Sequence, residues 1–242
     1  MGEKSKVLIS LFGVLDVTGE VVTMWIILAL VAAVCFFSSR HFKERPGKWQ
    51  NILETGVEYL DNFFGDILGR TRARRYFPVL ASLFVFIILS NYSGLIPGVG
   101  LTDYVKAPTS SLSVTIGLGL IAFLFLQIAG LRVGVKHYFK RFISPICFML
   151  PLLLLDEIIK PASLALRLFG NVFGEETVME EMYHIIPIGL PVLMMVLSIL
   201  FCAIQAVVFT MLVSLYLDEA TEIEEIPEPK KQKHKKQRRI ES

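Results

Sequence analysis

Five stretches of this sequence approach or exceed the roughly 20 apolar residues that an α-helix needs to cross bilayer hydrocarbon. They are Val21 to Phe37, Phe77 to Ser90, Leu112 to Leu131, Phe142 to about Ile185, and Ile188 to Leu217. The first two reach full length only with their flanking residues. A chain that is 54% hydrophobic and 19% charged is too apolar for an ordinary soluble domain, where about 25% charge is usual. Cys35, Cys147 and Cys202 all lie inside these runs and read as small buried hydrophobes rather than a disulfide framework. The first run lacks a small-residue cleavage site and is followed by basic residues, so it is expected to stay as a span.

Basic residues cluster at Arg40 to Lys48, Arg70 to Arg75, Arg132 to Arg141 and in the tail, while the loops Gly94 to Thr109 and His184 to Pro191 hold only Lys106. The positive-inside rule puts the basic clusters in the cytoplasm. This places the N-terminus outside and the C-terminus inside, and Arg40 and Arg75 on the same side. The intervening stretch, 49–69, therefore does not cross. Leu53, Val57, Leu60, Phe64 and Ile67 share one helical face and Glu54, Glu58, Asp61 and Asp66 the other, as in a helix lying in the interface. The formal charge of +2 conceals an acidic stretch, Asp218 to Glu228, followed by a basic one from Lys230 to Arg239; this tail is expected to be solvated and cytoplasmic.

The two C-terminal runs are the unusual feature. As one helix, Phe142 to Ile185 would be about 60 Å long at 1.5 Å per residue, twice the hydrocarbon thickness. It must tilt, break or leave the membrane, and Pro145, Pro151 and Pro161 are candidate bends. Pro187 to Pro191 reads as the turn into the last run. The expected fold is thus an all-α integral membrane protein with about five transmembrane helices and one interfacial amphipathic helix. Its parts are an external segment 1–20, a first span 21–38, the interfacial helix 49–69, a transmembrane hairpin 76–131, a long tilted hairpin 142–218 and a charged tail 219–242.

That hairpin holds nearly all the intramembrane polarity. Asp156, Lys160, Ser163, Arg167, Asn171, Gly174 and Glu181 fall within about 40° of one line on a helix, whereas Glu176 points the opposite way. Arg167 lies mid-segment, where a charge costs about 2.5–3.5 kcal/mol on insertion scales. A cation that never discharges cannot relay protons; it can attract a passing carboxylate and hold it ionised, so that its proton leaves to water, and it repels cations. Asp156 and Glu157 lie toward the cytoplasmic end, and Glu175, Glu176, Glu180 and Glu181 toward the outer end. This is the distribution expected of two aqueous paths separated by a positive barrier. On the last run Ser198, Gln205, Thr210 and Ser214 are polar, and Gln205 is placed to hydrogen-bond toward the arginine stripe.

These residues carry a resemblance. Lys160-Pro-Ala-Ser-Leu-Ala-Leu-Arg-Leu-Phe-Gly-Asn171, with Glu176 nine residues after the arginine, resembles the signature of subunit a of F-type ATP synthases. The similarity extends to Ser90 to Pro97, Ala107 to Thr115 and Ile204 to Phe209 in the family's order. It implies a non-catalytic subunit whose two half-channels carry H⁺ or Na⁺ to and from a rotating c-ring, with no metal or other cofactor. The implied partners are the c-ring, the subunit b stalk, the other synthase subunits and the lipid bilayer, with no nucleic acid. The implied location is the bacterial plasma membrane. Arg167 would be the essential stator arginine, with Asn171, Glu176 and Gln205 supporting it or lining the half-channels, and Asp156, Glu157, Glu175 and Ser198 completing the polar set. The chain departs from the family with Ser110, Ser111 and Ser113 in place of an Asp-containing motif, with Ser198 where some members have histidine, and with the additional acid Glu175.

Two other readings are weaker. Glu181-Met-Tyr-His184 has Glu-x-x-His spacing, but a bundle di-metal site needs that motif twice and it occurs once. A secondary transporter usually shows repeated halves, whereas here the polar residues crowd into the C-terminal third. The topology has a direct check: in a cysteine-free background, cysteines introduced in place of Lys43 and Thr102 should react with membrane-impermeant reagents from opposite faces of the membrane. Labelling from one face would refute it.

Overall fold

The computed structural model describes residues 9–11, 15–17, 19–40, 47–95, 107–133, 150–185 and 189–221. The fold is all-helical apart from one small ribbon. Ile9–Leu11 (β1) and Leu15–Val17 (β2) pair antiparallel, Ile9 opposite Val17 and Leu11 opposite Leu15. The sequence reading contains no strand there; each triplet alternates apolar, polar, apolar, the period a strand requires.

Helix α1, Gly19–Arg40, is apolar on every side, and Trp25, Leu30, Phe36 and Phe37 are exposed. Only Gly19, Thr23 and Ile27 are buried among its described side chains, so most of the surface of α1 is left uncovered by the rest of the chain. Helix α2, Lys48–Leu68, covers the stretch expected to lie in the interface. Its C-terminal part is anchored: Phe64 and Leu68 are fully buried, and Leu60, Phe63 and Ile67 pack beside them. Its N-terminal half is largely exposed, with Trp49 at 82%. A single residue, Gly69, turns α2 into α3, Arg70–Ser93, at φ 77°, where any L side chain would be strained.

A 3-10 turn, Pro108–Ser110, precedes helix α4, Leu112–Val133. Helix α5, Leu150–Ile185, has 36 residues, and helix α6, Gly189–Thr221, has 33. They are about 54 and 50 Å long, so any crossing of about 30 Å of hydrocarbon must be steeply tilted or overshoot it. The break entertained at Pro161 does not occur, because α5 runs through it. Proline removes one backbone hydrogen bond, here to the Glu157 carbonyl, and the packed neighbours hold the helix across the gap. Pro145, Cys147, the start of the run at Phe142 and the tail beyond Thr221 lie outside the described residues.

Four described helices, α1, α3, α4 and α6, are long and apolar enough to span a bilayer; α5 is longer but carries the charges. The core lies among α3 to α6 and the end of α2, around Leu80, Ile87, Leu118, Leu126, Leu164, Leu168, Phe209, Val213 and Leu217. Polar bonds fasten its two ends. Tyr92 Oη donates to the Ile199 carbonyl at 3.2 Å. At the other end Arg72 of α3 sits 2.8 Å from Asp218 of α6 and donates to Thr221 Oγ1 at 3.4 Å. The Arg72–Asp218 contact is ionic, since Asp218 Oδ1 lacks hydrogen-bond alignment.

Because lipid tails are as apolar as leucine, burial here acts through packing rather than water exclusion. Leu80→Ala, at a site with no exposure, should therefore destabilise by about 2 kcal/mol or more. The same change at Leu124, 50% exposed, should cost under about 0.5 kcal/mol. Thermal unfolding midpoints in detergent should separate the two variants, and equal midpoints would contradict the core assignment.

Candidate functional site

Helix α5 sorts its residues by face. Leu164, Ala165, Leu168 and Val172 are buried, while Leu166, Arg167, Gly170 and Phe173 are exposed. The apolar positions repeat every three to four residues, so the inward face was set by period. Arg167 lies on the outward side, with Leu166 59% exposed next to it. Among the described residues no hydrogen bond, ion pair or ring contact engages the guanidinium. The neighbouring face of α6 is also apolar and open, with Leu200, Phe201, Ile204 and Val207 all exposed.

One turn above the arginine, α5 and α6 share a polar cluster. Asn171 Nδ2 donates to Glu175 Oε1 at 3.2 Å, and the Cys202 thiol lies 3.7 Å from Glu175 Oε2. Ser198, one turn from Cys202 and 1% exposed, faces the same carboxylate without reaching hydrogen-bond alignment. Gln205 is buried and its Nε2 has no partner. The expected hydrogen bond from Gln205 toward the arginine stripe is thus not formed, because Arg167 turns outward and Gln205 inward. The other polar residues of α6 satisfy themselves: Thr210 Oγ1 donates to the Ala206 carbonyl at 2.9 Å and Ser214 Oγ to the Thr210 carbonyl at 2.8 Å. Such back-bonding commits each hydroxyl's one proton and leaves only its acceptor lone pairs.

Glu176 turns toward the end of α3, with Oε1 3.7 Å from where a Cβ on Gly94 would stand. Around that junction Ser90, Asn91 and Thr109 are buried, and Ser90 Oγ, Thr109 Oγ1 and both polar atoms of the Asn91 amide lack partners. Buried polar groups are nearly always satisfied by protein or ordered water, so water is the expected occupant. Ser110 Oγ donates locally to the Ala107 carbonyl at 2.9 Å. Ser113 is exposed.

At the opposite end, Glu157 Oε2 accepts from Gln127 Nε2 of α4 at 3.0 Å. Lys160 Nζ lies 2.9 Å from Glu219 and 3.5 Å from Asp156, above the Tyr216 ring at 5.3 Å. A small cleft among Phe123, Gln127, Glu157, Lys160, Pro161 and Tyr216 opens here. Glu180 and Glu181 are exposed, and the side chain of His184 lies outside the described residues. No cluster of three metal-ligating side chains occurs among the described residues.

Cys202, Gln127, Ser90, Asn91 and Thr109 join the candidate set on structural grounds. Cys202 follows Ser198 by four residues, and this spacing was the one available signal; the inter-helix register that brings Glu175 to it is not written in either helix alone.

The profile of the ATP synthase A chain family matches residues 21–218. The ATP synthase subunit a of Moorella thermoacetica is 38% identical over 206 residues, covering 85% of this chain and 91% of that protein. ATP synthase subunit a 1 of Syntrophotalea carbinolica is 38% identical over 202 residues, covering 82% and 83%. With its apolar helices, its long charged α5 and this match over most of its length, the chain belongs to the ATP synthase A chain family, as a multi-pass membrane-sector subunit of the synthase.

Proposed function

We propose that this chain is the non-catalytic stator channel of the synthase, passing H⁺ or Na⁺ between two half-channels and the carboxylates of a rotating c-ring. The observation that carries this reading is Arg167: a permanent cation, exposed and unpaired among the described residues, on the outward side of α5 between exposed Leu166 and Gly170. Facing lipid it would cost several kcal/mol. Facing a partner's carboxylate it is compensated, and it holds that carboxylate ionised at the moment of transfer. Gly170, exposed one turn above it, lets a partner helix come close.

The polar groups on either side support two separate paths. Toward the outer end, Glu176 and the unsatisfied Ser90, Asn91 and Thr109 form a site suited to water. The Glu175, Asn171, Cys202 and Ser198 cluster and Gln205 stand between it and the hairpin face. Toward the inner end lie Asp156, Glu157 and Gln127. An ion would enter by one path, neutralise a ring carboxylate, travel with the ring for most of a turn, and leave by the other path as Arg167 expels it. Rotation then drives ATP synthesis in the soluble head, and ATP hydrolysis runs it backwards. This reading places the chain in a bacterial plasma membrane with its C-terminus cytoplasmic, beside the c-ring and the subunit b stalk.

In inverted vesicles carrying the whole complex, Arg167→Ala at matched assembly should abolish ATP-driven ion pumping. Arg167→Lys should also lose most of it, because a point charge does not reproduce the guanidinium fork. Near-normal pumping by Arg167→Ala would make the arginine structural and defeat the proposal.

A further inference from the structure

Helix α4 carries Gly117, Gly119 and Gly130, and among the first two the structure uses one very differently. A Cβ on Gly117 would meet nothing within 4 Å. A Cβ on Gly119 would stand 2.9 Å from the Pro161 carbonyl oxygen and 3.1 Å from Ala165 Cβ, both on α5. Gly119 is therefore where the backbones of α4 and α5 touch, and the nearest obstacle is main chain, which cannot rotate away. Ordinary contact for a Cβ begins at 3.4 Å, so from 2.9 Å any side chain at position 119 must push α5 off by roughly 0.5 Å or more.

The contact falls where α5 is weakest and closest to its charge. Pro161 leaves the Glu157 carbonyl without its helical hydrogen bond, and two turns along α4 Gln127 holds the Glu157 side chain at 3.0 Å. Helix α4 thus grips α5 at two heights on either side of the proline gap. Ala165, at the upper grip, is two residues before Arg167. At about 100° per residue, an inward Ala165 sends Arg167 to the far, exposed side. We infer that Gly119 is a positioning residue for the ion barrier: its missing side chain sets how far α5, and with it Arg167, stands out toward the partner surface. This rests on the function proposed above for Arg167.

Pushing α5 outward by such an amount alters the approach of the guanidinium to the partner, and a 1 Å misplacement can cost about 100-fold in a reaction that depends on position. In the assembled complex, Gly119→Val should lower ATP-driven ion pumping by about 10- to 100-fold, Gly119→Ala should fall between it and the native chain, and Gly117→Val should remain within about 2-fold. Ala165→Gly, which removes the Cβ 3.1 Å away but leaves the Pro161 carbonyl in place, should restore part of the pumping lost in Gly119→Ala. Assembly is read on the same variants: a positioning role predicts lost pumping in complexes that assemble at the native level, whereas a merely structural role predicts a loss that tracks assembly.

If Gly119→Val fails to assemble, Gly119→Ala with and without Ala165→Gly carries the test. Full pumping by Gly119→Ala, or a pumping loss that only tracks lost assembly, overturns the inference. Arg167→Ala measured in parallel separates the two ideas. If it pumps normally, the barrier role itself fails; if it is dead while Gly119→Val matches Gly117→Val, only the positioning role falls.

Discussion

A guanidinium stays protonated at any pH a cell reaches, so wherever α5 puts Arg167 it puts a permanent charge. The chain's other charges are arranged so that nothing described within it neutralises this one. Glu175 is held by Asn171 and Cys202, Asp156 and Glu219 by Lys160, Glu157 by Gln127, and Asp218 by Arg72. Each of these acids is committed to a neighbour on another helix or one turn away, and Arg167 is left without a partner among the described residues. In water an unpaired arginine means little. Within a membrane-spanning bundle it is a demand for an external anion, and the proposed function follows from that demand.

Meeting it requires that α5 be held still without the force that orders soluble cores. Between helices in lipid there is little hydrophobic gain to be had, so position depends on close contact and a few polar bonds. Here α4 supplies both, through Gly119 against the Pro161 carbonyl and Gln127 against Glu157. Helix α6 supplies the polar cluster around Glu175 and the apolar ridge of Phe209, Val213 and Leu217. The Arg72–Asp218 and Lys160–Glu219 pairs close the bundle at one end. Both are partly exposed, so they fix register more than they stabilise.

How much of this was readable in advance depends on whether a feature is periodic along one helix or set between two. The helical segments, the polar stripe of α5 and the exceptional status of Arg167 were legible, because a run of apolar letters and a lone charge within it carry their meaning in one dimension. The continuity of α5 through Pro161 was not, since a proline's effect depends on whether neighbours hold the gap. Cys202 looked like a buried hydrophobe for the same reason: only the register of α5 against α6 brings Glu175 to it. Gln205 was assigned toward Arg167 from its mid-span height, but height does not determine facing, and the two side chains diverge. Gly119 and Gly117 are indistinguishable as letters and differ entirely in what stands opposite.

The adjacent acids Glu175 and Glu176 show what such facing achieves. Consecutive residues on a helix diverge by about 100°, so two neighbouring carboxylates need not share an environment. Glu175 turns to Asn171 and Cys202 in the α5–α6 groove, and Glu176 turns to Gly94 and the unsatisfied Ser90, Asn91 and Thr109 beside α3. Held side by side, two such groups would repel and one would take up a proton. Divided between two faces, each keeps its own surroundings. On the proposed reading the additional acid therefore does not widen the outer path. It stands on the hairpin side of α5, one turn beyond Asn171, where it shapes the last step before the arginine rather than the first step in from solvent.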